Sequence, residues 1–325
     1  MPQNITAERA GSLLKKWDNI CVYSHANPDG DTLGSATGLI RSLENMGKRC
    51  AFRCSDEPDR KYDYLFDGLK LECKADEIEY RVTVDIADTK LMGRIYREYI
   101  ENPDMFDLAI DHHGTHVPFA KEEWVVGGAP SNCELIYMLL KENGMPIDTH
   151  TADCLFTGIA TDTGSFKFAS VTPETHIIAA ELMRLGANAG KINLAMFDTI
   201  TKEYMEAEKK VLGGLRFYSE DRIAVIDVPL SVKEETGCSD ADIDLLPSIP
   251  RKIEGVIIGI TFKQKSENVW KASIRSIAPI DSSEICHEFG GGGHAGAAGC
   301  SFETSLEEAE KLLTEACEKH LRAKL

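Results

Sequence analysis

"YSHANPDGDTLGSATGLIRSL", residues Tyr23–Leu43, crowds one histidine and two aspartates into a tight turn directly after an apolar run. The preceding "NICVYSH" (19–25) reads as a short buried strand, and "TLGSATGLIRSL" (32–43) has small and apolar residues at helical spacing. His25, Asp29 and Asp31 therefore sit on a strand-to-helix loop, the place where open α/β sheets bind ligands. An imidazole and two carboxylates so close together form a candidate half-site for a divalent metal. A plainer account also stands: Asn-Pro-Asp-Gly is good turn chemistry, and Asp29 is suited to capping a helix.

The alternation continues downstream. "RCAFRCS" (49–55), "YRVTVDIAD" (80–88) and "FDLAIDHH" (106–113) read as further strands, followed by helices over about 132–142 and 151–159. This is the signature of βαβ units on a parallel sheet with helices on both faces. In "SVTPETHIIAAELMRLGANAG" (170–190), Thr172-Pro173-Glu174 starts a helix and Gly186 ends it. With 325 residues the chain exceeds the size at which a single core stops growing. The texture changes near residue 190, so the expected division is a first domain at 1–190, a linker at 191–212 and a smaller α/β domain at 213–325. That second domain has a mixed sheet, from "RIAVIDVP", "EGVIIGITFKQ" and "VWKASIRSI", closed by a helix from about Leu306.

Composition narrows the function classes. A formal charge of −17 argues against wrapping long duplex nucleic acid, so a phosphorylated ligand would have to be attracted by bound metal and a few local cations. The ten cysteines are scattered, without a CxxC pair, and are expected to be reduced and buried. With no signal-peptide pattern and no apolar run long enough to cross a bilayer, the expectation is a cytoplasmic protein with no membrane partner. The oligomeric state is left open, a homodimer included.

Further chemistry collects at the ends of the later strands. Asp85 follows "VTV", where a lone aspartate is ordinarily a cap or turn residue. Asp111, His112 and His113 stand consecutively, and adjacent histidines have no packing rationale, whereas histidine is the commonest metal ligand. Asp162 is expected in a polar, glycine-flanked turn after an apolar helix. In "FGGGGHAGAAGC" (289–300), the glycines before His294 read as backbone approaching a ligand closely, with N–H groups free to meet phosphate. Arg275 lies on a strand; it is either a solvated edge residue or a guanidinium fork for phosphate. Ser131 and Asn132 open a helix, as a cap or as an anion site.

Five segments, in order, resemble the DHH family of phosphoesterases in its DHH/DHHA1 form, on the nanoRNase and pAp-phosphatase branch: "HANPDGD" (25–31), "DIAD" (85–88), "DHH" (111–113), "GIATDTGSFKF" (158–168) and "FGGGGHAGAAG" (289–299). The resemblance implies two manganese ions: His25 and Asp29 on the first, Asp31, His112 and Asp162 on the second, and Asp85 bridging. It further implies that His113 faces the scissile phosphate and that Asp111 orients its neighbours. Arg275, Ser276, Gly292, Gly293 and His294 would hold the nucleotide, with Ser131 and Asn132 as further candidates. His116 departs from the family pattern, which has a small polar residue or asparagine there; its contact with substrate is left open. The implied activity is hydrolysis of short oligoribonucleotides, linear pApA or 3′-phosphoadenosine 5′-phosphate in the cleft between the domains. The competing expectations are a cyclic-dinucleotide phosphodiesterase, a family II pyrophosphatase, which the glycine run opposes, and a non-catalytic nucleotide-binding module.

Overall fold

The computed structural model describes residues 4–324, which form two compact units dividing between Thr199 and Ile200. In the first unit, β1 (Ile20–Tyr23), β2 (Cys50–Arg53), β3 (Tyr80–Val84), β4 (Leu108–Asp111) and β5 (Glu122–Val125) form one parallel sheet in the order β2-β1-β3-β4-β5. Its helices are α1 (Ala7–Lys16), α2 (Gly30–Asn45), α3 (Ile95–Glu101), α4 (Asn132–Glu142), α5 (Thr149–Asp162), α6 (Pro173–Arg184) and α7 (Ala189–Phe197). Side chains alternate across a strand, so a sheet covered on both faces must be apolar on both. Accordingly Ile20 and Val22 enter the larger core with Leu39 of α2, Leu139 of α4 and Leu155 of α5. Cys21 and Tyr23 enter a smaller core with Ile95 of α3, Ile86 and Phe106.

Helices α2 and α5 approach each other through glycines. A Cβ on Gly34 would stand 2.4 Å from the Cys154 carbonyl oxygen, and one on Gly158 would stand 2.1 Å from Cys133 Sγ and 2.8 Å from Asp31 Oδ1. Residues with side chains cannot occupy these positions without moving the helices apart. The close approach sets the first turn of α2, carrying Asp31, beside the last turn of α5, carrying Asp162.

The second unit contains α8 (Lys202–Leu212), β6 (Arg216–Tyr218), β7 (Ile223–Val228), α9 (Leu230–Thr236), α10 (Asp240–Leu245), β8 (Ile258–Ser266), β9 (Val269–Ser276), α11 (Ser282–His287), β10 (Gly292–His294), β11 (Ala297–Glu303) and α12 (Leu306–Lys324). Its sheet runs β10-β11-β9-β8-β7-β6, with β7 and β8 parallel and every other pair antiparallel. Ile260, Phe262, Ile274 and Phe302 pack one face against Leu313, Cys317 and Leu321 of α12. At the β7 end of the other face, Ile226 and Val228 meet Tyr204 and Val211 of α8 and Ile243 of α10.

Three local expectations meet a different structure. The stretch 191–212 is mostly helical: α7 joins the first core through Ile192, α8 packs in the second unit, and the break falls between them. Helix α5 runs from Thr149 to Asp162, so Asp162 is its last helical residue and not part of a following turn. The threonines that read as turn residues bond back into the helix, as when Thr161 Oγ1 donates to the Thr157 carbonyl at 3.0 Å. The segment Gly292–His294 is an edge strand paired with β11. Nine of the ten cysteines are buried, and none is in a disulfide among the described residues. Among the described residues no helix is long and apolar enough to cross a membrane.

Glycine to alanine in a helix interior normally stabilises by about 1 kcal/mol. Gly34→Ala is expected to do the reverse, because forced overpacking costs about 1–3 kcal/mol and the atom in the way is backbone. A urea melt checks the sign; a gain in stability would contradict the close α2–α5 packing.

Candidate metal centre

Parallel strands deliver their carboxyl ends to one edge of the sheet, and β1, β3 and β4 are adjacent. His25 lies just past β1, Asp85 follows β3, and His112 and His113 follow β4, while α2 and α5 bring Asp29, Asp31 and Asp162. Three overlapping three-residue groups result: His25 with Asp29 and Asp85, Asp31 with His112 and Asp162, and Asp85 with His112 and His113. His25 Nε2 stands 3.8 Å from Asp29 Oδ1 and 3.7 Å from Asp85 Oδ2. His112 Nε2 stands 3.3 Å from Asp85 Oδ1 and 3.7 Å from both Asp31 Oδ2 and Asp162 Oδ2. Asp85 thus turns Oδ2 to His25 and Oδ1 to His112 and His113.

Local bonds orient these donors. His25 Nδ1 meets the Ala26 carbonyl at 2.8 Å and His112 Nδ1 meets the Ala129 carbonyl at 2.7 Å. A carbonyl only accepts, so each Nδ1 carries a hydrogen and each Nε2 is the ring nitrogen turned into the site. Asp29 caps α2, accepting from the backbone of Asp31 and Thr32 through Oδ1, the oxygen that also faces His25. Asp31 is buried, and its two oxygens accept the backbone N–H groups of Asn132 and Cys133 at 2.6 and 2.9 Å, at the positive end of α4. Asp85 has φ +59°, a strained backbone region for a residue with a side chain. Its Oδ1 is buried without a hydrogen-bond partner among the described residues.

The electrostatics describe a site short of positive charge. Burial pushes Asp162 up to about 6 and Asp31 well above the carboxylate range, with Asp85 adding repulsion to both. Burial also disfavours protonated histidines, yet the Asp85 carboxylate outweighs it, lifting His25 to about 9 and His112 to about 10. Without an ion, the imidazoles serve as the cations; a divalent metal would replace their protons. The donor set is oxygen and imidazole, with an orphaned carboxylate oxygen at its middle, and it fits hard or borderline divalent ions.

Beside this cluster runs a buried chain of polar groups. Asp111 Oδ1 meets His113 Nδ1 at 2.8 Å, and Asp111 Oδ2 meets His116 Nδ1 at 2.6 Å. Burial resists the Asp111 charge, but the two imidazoles outweigh it and hold its carboxyl well below the usual range. His116 Nε2 faces Glu123 at 3.6 Å, and Glu123 accepts the backbone N–H groups of Phe119 and Ala120. The His116 side chain is 5% exposed, which corrects its assignment to substrate: it is walled in between two carboxylates. The His113 side chain is 39% exposed and within reach of a ligand. Glu123 escaped the sequence because "EEWV" is too short to show its alternation.

Other substrate candidates separate in the same way. Ser131 caps α4 by accepting from Glu134, and Asn132 Nδ2 donates to Ser35 Oγ. Both are fully buried, and the backbone N–H of Asn132 is taken by Asp31, so this helix end is not open to phosphate. Ser276 is buried too; its hydroxyl is tied to Ser282 and to the carbonyls of Ile280 and Ala295. Arg275 is half-buried and its guanidinium has no carboxylate partner among the described residues. Across the sheet Arg275 pairs with Ala297, which pairs with His294, so both side chains stand on one face. Side chains at Gly291 or Gly293 would strike β11, whereas at Gly292 a Cβ would meet only His287, at 3.5 Å.

Comparison with known proteins follows the same division. Residues 19–159 match the DHH family, N-terminal domain, and residues 222–321 match the DHHA1 domain. A protein of Thermus thermophilus named bifunctional oligoribonuclease and PAP phosphatase NrnA is 28% identical over 93% of this chain and 90% of its own. The crystal structure of an exopolyphosphatase-related protein from Bacteroides fragilis superposes with a TM-score of 0.86 at 24% identity, covering 96% of each chain. RecJ of Thermus thermophilus, in complex with Mn²⁺, has a TM-score of 0.55 at 16% identity, covering 96% of this chain and 55% of that one. With the two domains matched in order along its length, the chain belongs to the DHH family, in the form that joins a DHH N-terminal domain to a DHHA1 domain.

Proposed function

We propose that this phosphoesterase holds two manganese ions and hydrolyses short oligoribonucleotides, linear dinucleotides such as pApA, and 3′-phosphoadenosine 5′-phosphate. The observation that carries the reading is Asp85, whose two oxygens face separate histidines, each backed by its own aspartates. His25 and Asp29 would hold one ion and Asp31, His112 and Asp162 the other, with Asp85 shared. Oxygen and imidazole donors suit manganese better than a thiolate-seeking metal, and the RecJ neighbour of this fold is a manganese complex. Two such ions, when bound, supply an acidified water and neutralise charge at the phosphoryl group.

The chain's own residues do the remaining work. Asp111 pins the Nδ1–H of His113, which leaves Nε2 as the free end of an exposed imidazole beside Asp85. The Asp111 carboxylate also raises the His113 pKa, favouring the ring protonated at both nitrogens, and from there Nε2–H donates to a phosphoryl oxygen as charge builds on it. Arg275 offers a guanidinium fork with no carboxylate partner among the described residues, His294 shares its face, and packing does not require glycine at Gly292, which leaves bare backbone for a ligand. A net charge of −17 favours small substrates over long duplex. The name of the Thermus thermophilus relative supports short RNA and pAp as the substrate class.

Chelation is expected to abolish hydrolysis of pApA and added Mn²⁺ to restore it; equal rescue by Ca²⁺ would contradict the choice of metal drawn from the donor set. Asp85→Ala is expected to lower kcat further than Asp29→Ala, because it removes the carboxylate common to both groups. Steady-state kinetics under saturating Mn²⁺ decide the order.

His113→Ala is expected to lower kcat about 10²–10³-fold, the usual cost of a lost transition-state donor, at unchanged manganese content. Loss of one manganese per chain in that variant would make His113 a ligand and overturn its role.

A further inference from the structure

The face of the second sheet that carries Arg275 continues away from it along β8 and β9. Cross-strand pairing places Gly259 with Arg275, Thr261 with Ser273 and Lys263 with Lys271 on that one side. Ile260, Ile274, Phe262 and Ala272 occupy the opposite, core side. The register then shifts between Gln264 and Ser266, a bulge at Lys265, and bulges re-aim side chains. Lys263, Lys265, Lys271, Thr261 and Ser273 line a cavity of about 50 Å³, closed on another side by Asp244 and Ile243 of α10.

This arrangement has no packing rationale. Like charges directly opposite on a sheet destabilise it, and Lys263 faces Lys271 in a chain with 53 acidic and 36 basic residues. Asp244 pairs with Lys263 at 3.0 Å, whereas Lys265 and Lys271 make no ion pair among the described residues. At the floor, Thr261 is 1% exposed and its hydroxyl has no hydrogen-bond partner among the described residues. An unpaired buried hydroxyl costs free energy unless something fills the space above it. Burial and the two neighbouring lysines also hold the Lys265 ammonium below its usual range, outweighing the opposing pull of Asp244 and Asp240.

We infer that this pocket is an oxyanion site that takes a phosphate group of the nucleotide chain other than the one being hydrolysed. The inference rests on the proposed function and deepens it, making substrate length a property of the second unit. Lys271 lies four residues from Arg275 along one strand, a span of about 13 Å, so only a nucleotide chain long enough to carry phosphates that far apart reaches both.

Two arms test it on the full-length protein and on Lys265→Gln/Lys271→Gln, both of which change exposed lysines. In the first, inorganic phosphate is titrated while the backbone amide resonances of Thr261 and Ser273 are followed. The expected result is a saturable shift in the parent, lost in the variant. In the second, KM is measured for di- and pentanucleotides across a salt series. The variant is expected to raise the pentanucleotide KM about tenfold relative to the dinucleotide, and to lose about 0.7 of the salt slope per lysine. No phosphate shift in the parent overturns the site. A shift with an unchanged KM ratio also overturns the proposal, since the pocket would then take free phosphate only. If the parent cleaves no oligonucleotide, the proposed function is what has failed, and the phosphate arm still decides whether the pocket binds an oxyanion.

Discussion

Four carboxylates, those of Asp29, Asp31, Asp85 and Asp162, are drawn to one edge of a sheet around two imidazoles, and the rest of the first unit is arranged to hold them there. Such crowding is unfavourable without positive charge, and the fold compensates it only in part. Backbone N–H groups at the head of α4 take Asp31, those at the head of α2 take Asp29, and the histidines lean on Asp85. One oxygen of Asp85 stays buried without a hydrogen bond among the described residues, 3.3 Å from His112 Nε2. Divalent ions are the natural resolution, since they satisfy all the donors at once.

Geometry makes this assembly possible at the level of single atoms. The glycines at 34 and 158 let α2 and α5 close to a distance that any side chain would forbid, which sets Asp31 beside Asp162. The carbonyls of Ala26 and Ala129 choose the tautomers of His25 and His112. Asp111, sitting outside the metal groups, is held between His113 and His116 and keeps His113 in one orientation. His112 and His113, neighbours in sequence, differ in setting. His112 stands among Asp31, Asp85 and Asp162, while His113 is held by Asp111 with its side chain 39% exposed, and it too lies in a candidate ligand group with Asp85 and His112.

Much of this was legible in the sequence because apolar runs ending in Asp or His mark the carboxyl ends of parallel strands, and neighbouring strand ends must converge. That convergence accounts for His25, Asp85 and His112, whereas the full set with Asp29, Asp31 and Asp162 was legible only through the resemblance to the DHH family. The helical setting of Asp162 was hidden by threonines that read as turn formers but bond within the helix. Ser131, Asn132, Ser276 and His116 looked like polar groups awaiting a ligand; their side chains are buried, Ser131 accepting from Glu134, Asn132 donating to Ser35, Ser276 bonded to Ser282 and His116 Nδ1 to Asp111, and no local pattern reveals such engagement. The lysine face of β8 and β9 was invisible for a related reason, since it exists only once the cross-strand register is known.

The central claim is that Asp85 is shared between two ions, one on each of its oxygens. Crystals of the protein grown with Mn²⁺ and measured on both sides of the manganese absorption edge test it directly. The account predicts two anomalous peaks about 3.5–4 Å apart, one against His25 and Asp29, the other against Asp31, His112 and Asp162, with Asp85 touching both. A single peak, or two peaks with Asp85 bound to only one, would contradict it.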